Sequence, residues 1–96
     1  MIQNKVIIDK MLKYHRLDFW GPMHKKLVSI NHSLCGDPKQ NVGIVYDFDL
    51  DEEGFMYSIF LRVNGLEYMQ VSCSNISKVE LRPKHQLLQW RIENNA

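Results

Sequence analysis

The densest run of chemistry-bearing side chains is Asp47, Asp49, Asp51, Glu52 and Glu53. It has the look of a calcium loop. An EF-hand needs Gly at its sixth position and a bidentate Glu at its twelfth. Counted from Asp47, those places hold Glu52 and Ser58. The run reads instead as a solvated acidic turn whose repelling charges discourage edge pairing. His24, His32, Cys35 and His85 are the remaining metal-ligand types. Only His32 and Cys35 sit at a ligand spacing, and a closed zinc site needs a second pair. The expectation is no metal, with the histidines scattered on the surface. Cys35-Gly36-Asp37 offers a nucleophile, but a reactive thiolate needs a positioned base and a lowered pKa. The chain has no phosphate loop, nucleophile elbow or paired-carboxylate motif. The expectation is therefore no enzyme activity and no cofactor.

A different set of side chains suits binding. Phe60, Arg62, Tyr68 and Gln70 fall on alternate positions of two adjacent segments. Rings beside a guanidinium form a platform for a base or a peptide. Lys25 and Lys26, next to His24, add a basic patch, and Trp90 is a further ring. The structural alternative is that another element or a second subunit covers this face, since apolar strand residues usually pack.

What must position these residues is the stretch Phe55 to Cys73, FMYSIFLRVNGLEYMQVSC. Asn64-Gly65 sits between two runs rich in β-branched and aromatic residues. That dipeptide tolerates positive φ and reverses a strand. Two registers are open. A two-residue loop pairs Val63 with Leu66 and Arg62 with Glu67. A three-residue loop with Gly65 bulged pairs Arg62 with Leu66, Ile59 with Met69 and Tyr57 with Val71. The bulged loop is preferred. It gathers Phe55, Tyr57, Ile59, Leu61, Met69, Val71 and Cys73 on one oily face and leaves Phe60, Arg62, Tyr68 and Gln70 on the other. Burying each large apolar side chain is worth about 1.5–3 kcal/mol, against roughly 0.2–1 for an Arg62–Glu67 pair.

The other elements follow from spacing and turn residues. Asn4 to Leu17 reads as a helix from apolar residues recurring at three and four; a strand over Lys5 to Asp9 is the alternative. Phe19 and Trp20 are expected to plug the core before the Gly21-Pro22 break. Lys26 to Asn31 is a first strand, and His32 to Asn41 is turn chemistry throughout. Val42 to Phe48 is the next strand, with Ile44, Tyr46 and Phe48 on one side. Asp49 to Gly54 turns it into the hairpin. Ser74 to Ser77 makes a tight turn, Lys78 to Leu81 a short strand, and Pro83 interrupts. Alternation of Leu88, Trp90 and Ile92 favours a last strand over a helix at Lys84 to Glu93.

With 96 residues, 45% hydrophobic and 24% charged, the chain suits one globular domain. Its expected parts are a helical segment at 1–20, a β-barrel at 24–82 and a strand or helix with a tail at 83–96. The net charge is +1, but residues 1–41 carry seven Lys/Arg against three acids and residues 42–96 carry five against eight. Two cysteines without a secretory pattern read as reduced thiols in a cytoplasmic protein. No stretch approaches the roughly 20 apolar residues of a membrane span, so no membrane partner is expected.

Gly43-Ile44-Val45, the Val63-Asn64-Gly65 hairpin and Ser74-Asn75-Ile76 before the final short strand give the chain a recognisable order. Over roughly Lys26 to Leu81 it resembles the small five-stranded barrels of the Src-homology-three type, which include KOW, Tudor and Sm-like domains. The resemblance implies a mainly β (α+β) fold, a small antiparallel five-stranded SH3-like barrel with an N-terminal helix. It carries over no functional residue, because that fold hosts many activities.

The functional expectation is a non-enzymatic binding module that docks on a protein partner. Its contacts would be an aromatic and basic sheet face or a strand edge. A small adaptor or inhibitor, including a viral (phage-encoded) regulator, fits the size and the lack of catalytic groups. The alternative is single-stranded RNA or DNA binding by the same face, although the net charge is low for a dedicated nucleic-acid binder. A third reading is a homo-oligomer whose mixed face is the subunit contact.

Overall fold

The structure is a computed structural model that describes residues 12–94. Five strands dominate it: β1 (Leu27–Leu34), β2 (Asp37–Leu50), β3 (Met56–Asn64), β4 (Glu67–Ser72) and β5 (Ile76–Leu81). A one-turn helix, α1 (Leu17–Trp20), precedes them and a longer one, α2 (Lys84–Glu93), follows. Short 3-10 turns lie at Lys13–His15, Gly21–Met23 and Cys73–Asn75. The strands form one antiparallel sheet in the order β4-β3-β2-β1-β5. Consecutive hairpins build β1 to β4, and β5 returns to the free side of β1. β4 and β5 do not pair with each other, so the sheet does not close into a barrel.

One face of the sheet carries the main core. Val28, Ile30, Val45, Ile59, Leu61 and Val71 pack there with Met56, Cys73 and Ile76. Tyr14 and Trp20 join them, and Phe19, Met23 and Phe48 pack at the margin. The expectation that Phe19 and Trp20 plug the core holds. Trp20 is fully buried, and its indole N–H donates to the Tyr14 carbonyl at 2.8 Å. A buried indole needs such an acceptor. The opposite face bears a second cluster, Leu27, Ile44 and Trp90 with Leu87 beside them.

Several expectations need correction. The segment from His32 to Asn41 is not a loop. β1 and β2 run through it as a tight hairpin, paired from His32↔Lys39 to Leu34↔Asp37. Only Cys35-Gly36 turns, with φ of 53° and 80°. Positive φ at both central positions matches the twist of a two-residue hairpin. Pro38 is tolerated because β3 pairs with β2 only from Ile44 onward. Its missing N–H therefore lies on an unpaired edge.

The β3–β4 register is neither of the two expected. Arg62 pairs with Tyr68, Leu61 with Met69 and Ile59 with Val71, while Asn64 pairs with Glu67 and the register shifts at Val63. The turn is thus Gly65-Leu66. Its tip is tied by Asn64 Nδ2 donating to Glu67 Oε2 at 2.9 Å and by the Arg62 Nε donating to the Gly65 carbonyl. A shift of two residues preserves which side chains share a face, so Ile59, Leu61, Met69 and Val71 still point to the core. Phe55 and Tyr57 do not. The register slips again between Asp49 and Leu50, where Met56 takes the buried place and Tyr57 is exposed.

A further irregularity at Tyr46 separates residues expected on one side. Val45 opposes Leu61 and Asp47 opposes Phe60, leaving Tyr46 as the extra residue. Such a bulge re-aims side chains. Ile44 packs with Trp90, Phe48 borders the main core, and Tyr46 is exposed.

The C-terminal strand reading is also overturned. Lys84–Glu93 is a helix, started by Pro83 at the N-cap position. Leu87 and Trp90, three apart, share the face that packs on Leu27 and Ile44. The alternating set fails because Leu88 and Ile92 are exposed. The N-terminal helix expected over Asn4 to Leu17 lies largely outside the described residues. Its last part does not continue to Leu17, since Arg16 is extended (φ −109°, ψ 131°). Among the described residues no helix is long and apolar enough to cross a membrane.

Candidate functional site

The two-sided packing of the sheet sets up a surface around α2. Trp90 is only 8% exposed and lies against Leu27 and Ile44. The Arg62 guanidinium sits over its ring, 5.7 Å from the centroid. With its Nε held by the Gly65 carbonyl, Arg62 is oriented at both ends of the guanidinium stem. Arginine held in this way loses less freedom on binding an oxyanion. Trp90 is therefore not an exposed stacking ring, as the sequence suggested, but the seat of the arginine.

Arg62 lines a cavity of about 300 Å³ together with Lys25, Arg91, Ile44, Val45 and Tyr46. Among the described residues three cations and no carboxylate bound it. None of the three forms an ion pair among the described residues. Lys25 is held unusually. Its φ is +65°, a conformation rare outside glycine. Its backbone N–H donates to the Val45 carbonyl at 2.8 Å, and the Val45 N–H returns a bond to Lys26 at 3.1 Å. Beside the cavity, the Tyr46 and Tyr68 rings meet at 4.7 Å between centroids. Tyr46 is 52% and Tyr68 44% exposed, so both present ring surface.

Near the start of α2 lies a second cavity, about 330 Å³, lined by Lys26, Leu27, Leu81, Arg82, Lys84 and Leu87. It too has three cations and no acid among the described residues. Six of the ten Lys/Arg in residues 12–94 thus border two cavities flanking one helix. The near-neutral net charge conceals this segregation, because the acids cluster at 47–53.

A third, wider groove of about 640 Å³ is lined by residues of β4 and of the β1–β2 hairpin. His32 is buried there, against the expectation of surface histidines, and its Nε2 lies 2.7 Å from Asn41 Oδ1. Gln70 belongs to this groove and not to the basic cavities. Its amide donates to Ser58 Oγ at 2.8 Å, and Ser58 lies 3.5 Å from Asp49.

The expected binding residues therefore divide. Arg62 and Lys25 meet in one cavity, with the Tyr68 ring in tilted contact with its Tyr46 wall. Lys26 lines the second cavity, Gln70 the groove, and Trp90 lies beneath Arg62. Phe60 is half-buried on β3, opposite Asp47 and Gln70. Sequence reasoning missed Tyr46, Arg82, Lys84 and Arg91. Reading 84–93 as a helix would have brought Arg91 and Lys84 to the sheet.

The two cysteines differ. Cys35 is exposed at the hairpin turn, and Cys73 is buried, its thiol pushed up to about 11 by desolvation. Among the described residues no three metal-ligating side chains come together. Searches against protein-family models, curated proteins and solved structures find no match to this chain.

Proposed function

We propose that this chain is a non-enzymatic binding module that docks an acidic segment of a protein partner on the sheet face around Arg62. One observation carries the reading. Lys25, Arg62 and Arg91 converge on a cavity that no carboxylate of the described residues lines, beside two exposed tyrosines in ring contact. Arginine and tyrosine are the residue types that dominate protein-recognition hot spots. A Src-homology-three type of fold is part of the proposal. It is supported by β5 returning beside β1 and by the 3-10 turn between β4 and β5. The small regulator, adaptor or inhibitor role and a cytoplasmic setting belong to the same proposal.

Single-stranded nucleic acid is the second reading. The Tyr46–Tyr68 pair beside three cations favours it, since bases stack on rings while phosphates meet lysine and arginine. A tagged pull-down with and without nuclease separates the two. A protein partner survives nuclease and is lost with Arg62→Ala or Tyr68→Ala. A nucleic-acid partner disappears with nuclease, and its affinity falls linearly on a log–log salt plot. Unchanged capture by both variants refutes this face as the site.

A further inference from the structure

The cavity at the start of α2 differs from the one at Arg62 in a useful way. Half of its lining is cationic (Lys26, Arg82, Lys84) and half is leucine (Leu27, Leu81, Leu87). Apolar wall and positive charge in one hollow call for an occupant with both an oily body and an anionic end. The Arg82 Nε makes the demand more specific. It is buried and has no hydrogen-bond acceptor among the described residues. A buried donor without an acceptor is costly and rare, and the guanidinium to which it belongs keeps a positive charge that no acid among the described lining residues offsets. α2 also begins here with no side-chain cap on its first turn, which leaves a partial positive charge of the same sign.

Size narrows the occupant. About 330 Å³ lies at the small end of the roughly 300–1,000 Å³ range of ligand pockets. That suits a single apolar residue better than a long acyl chain. A residue that carries its own carboxylate is the last one of a polypeptide. We propose that this cavity binds the C-terminal residue of a partner protein, with an aliphatic side chain against the three leucines and its free carboxylate on Arg82, Lys26 and Lys84. Terminal carboxylates are a recurrent recognition element. The proposal rests on the reading of the chain as a protein-docking module, but it concerns a site separate from Arg62 and Tyr68.

The test is a fluorescence-polarisation titration of the purified chain with a labelled hexapeptide ending in a free leucine carboxylate. Its C-terminal amide and octanoate serve as competing arms. Saturable binding of the acid is expected, with at least tenfold weaker binding of the amide and little competition by octanoate. Arg82→Met should lose binding by a similar factor, yet unfold at the same temperature as the parent or higher, because it removes a donor that lacks an acceptor. Equal binding of acid and amide overturns the proposal. So does octanoate displacing the peptide at equal concentration, no saturation at millimolar peptide, or full binding by Arg82→Met. Arg62→Ala should bind the hexapeptide like the parent. A failure of this cavity therefore leaves the pull-down test of the Arg62 face intact, and the reverse also holds.

Discussion

Replacing Gly43 with alanine should destabilise the protein, and the amount follows from one close approach. Gly43 pairs with Val28 in β1, and its neighbour Ile44 pairs with Arg62 in β3. A Cβ at position 43 would stand 2.7 Å from the Arg62 carbonyl oxygen and 3.2 Å from its carbon. Ordinary contact begins near 3.4 Å, so β2 and β3 must separate locally by about 0.7 Å. The obstructing atom is backbone in a paired strand and cannot swing aside. Overpacking of this kind costs about 1–3 kcal/mol. Stiffening the unfolded chain by Gly→Ala offsets about 0.4–1 kcal/mol of that. A net loss of roughly 1–2 kcal/mol remains, large against a total stability of about 5–15 kcal/mol. For a domain near this size each kcal/mol lowers the midpoint by about 4–8 °C. Thermal unfolding followed by circular dichroism should therefore show the Gly43→Ala midpoint falling by about 5–15 °C. A midpoint within a degree or two of the parent would refute the tight β2–β3 approach. The same displacement moves the main chain that carries Arg62, so the variant should also weaken binding at the Arg62 cavity.

Two other outcomes are expected. Asn94 joins α2 to the hairpin tip, accepting the Gly65 N–H at 3.2 Å and donating to the Trp90 carbonyl at 2.8 Å. Asn94→Ala should cost about 1 kcal/mol and speed hydrogen exchange at the Gly65 amide, and unchanged exchange would show the tie to be idle. Cys73 should be unreactive in the native chain, so a thiol reagent titrates Cys35 alone until denaturant is added. Burial raises the Cys73 thiol from 9.0 to about 11, so the folded state keeps its proton where the unfolded state loses it. The unfolded chain then binds fewer protons, and stability falls as pH rises from about 9 to about 11. Cys73→Ala should remove that part of the slope, and an identical slope in the variant would contradict the burial.

What could be read from the residues was governed by periodicity and failed where periodicity is interrupted. Asn64-Gly65 announced a hairpin, and the parity of Ile59, Leu61, Met69 and Val71 sorted them correctly to the core. The register itself was not legible, because Val63 is bulged and the tip is tied by Arg62, Asn64 and the distant Asn94. Phe48 parted from Ile44, and Tyr57 from Ile59, for the same reason: one extra residue in a strand reverses every side chain beyond it. Turn-forming residues misled at 32–41, where only Cys35-Gly36 bends the chain and Pro38 hides at an unpaired edge. Leu88, Trp90 and Ile92 alternate, yet Leu87 and Trp90 are the pair that packs. Missing that helix also hid Arg91 and Lys84, and with them most of the positive charge around α2.

An unclosed sheet has consequences for life at high concentration. Among the described residues no strand pairs with the outer side of β4 or of β5, and such an edge is a template on which another chain can add itself. Both rims are only six residues long, and charge punctuates them: Glu67 on one, Lys78 and Glu80 on the other. Short length and repulsion hold back runaway zippering while leaving the rims open to a strand that brings the right side chains. Neutralising Glu67, Lys78 and Glu80 together would strip that guard, and fibrous self-association should begin there.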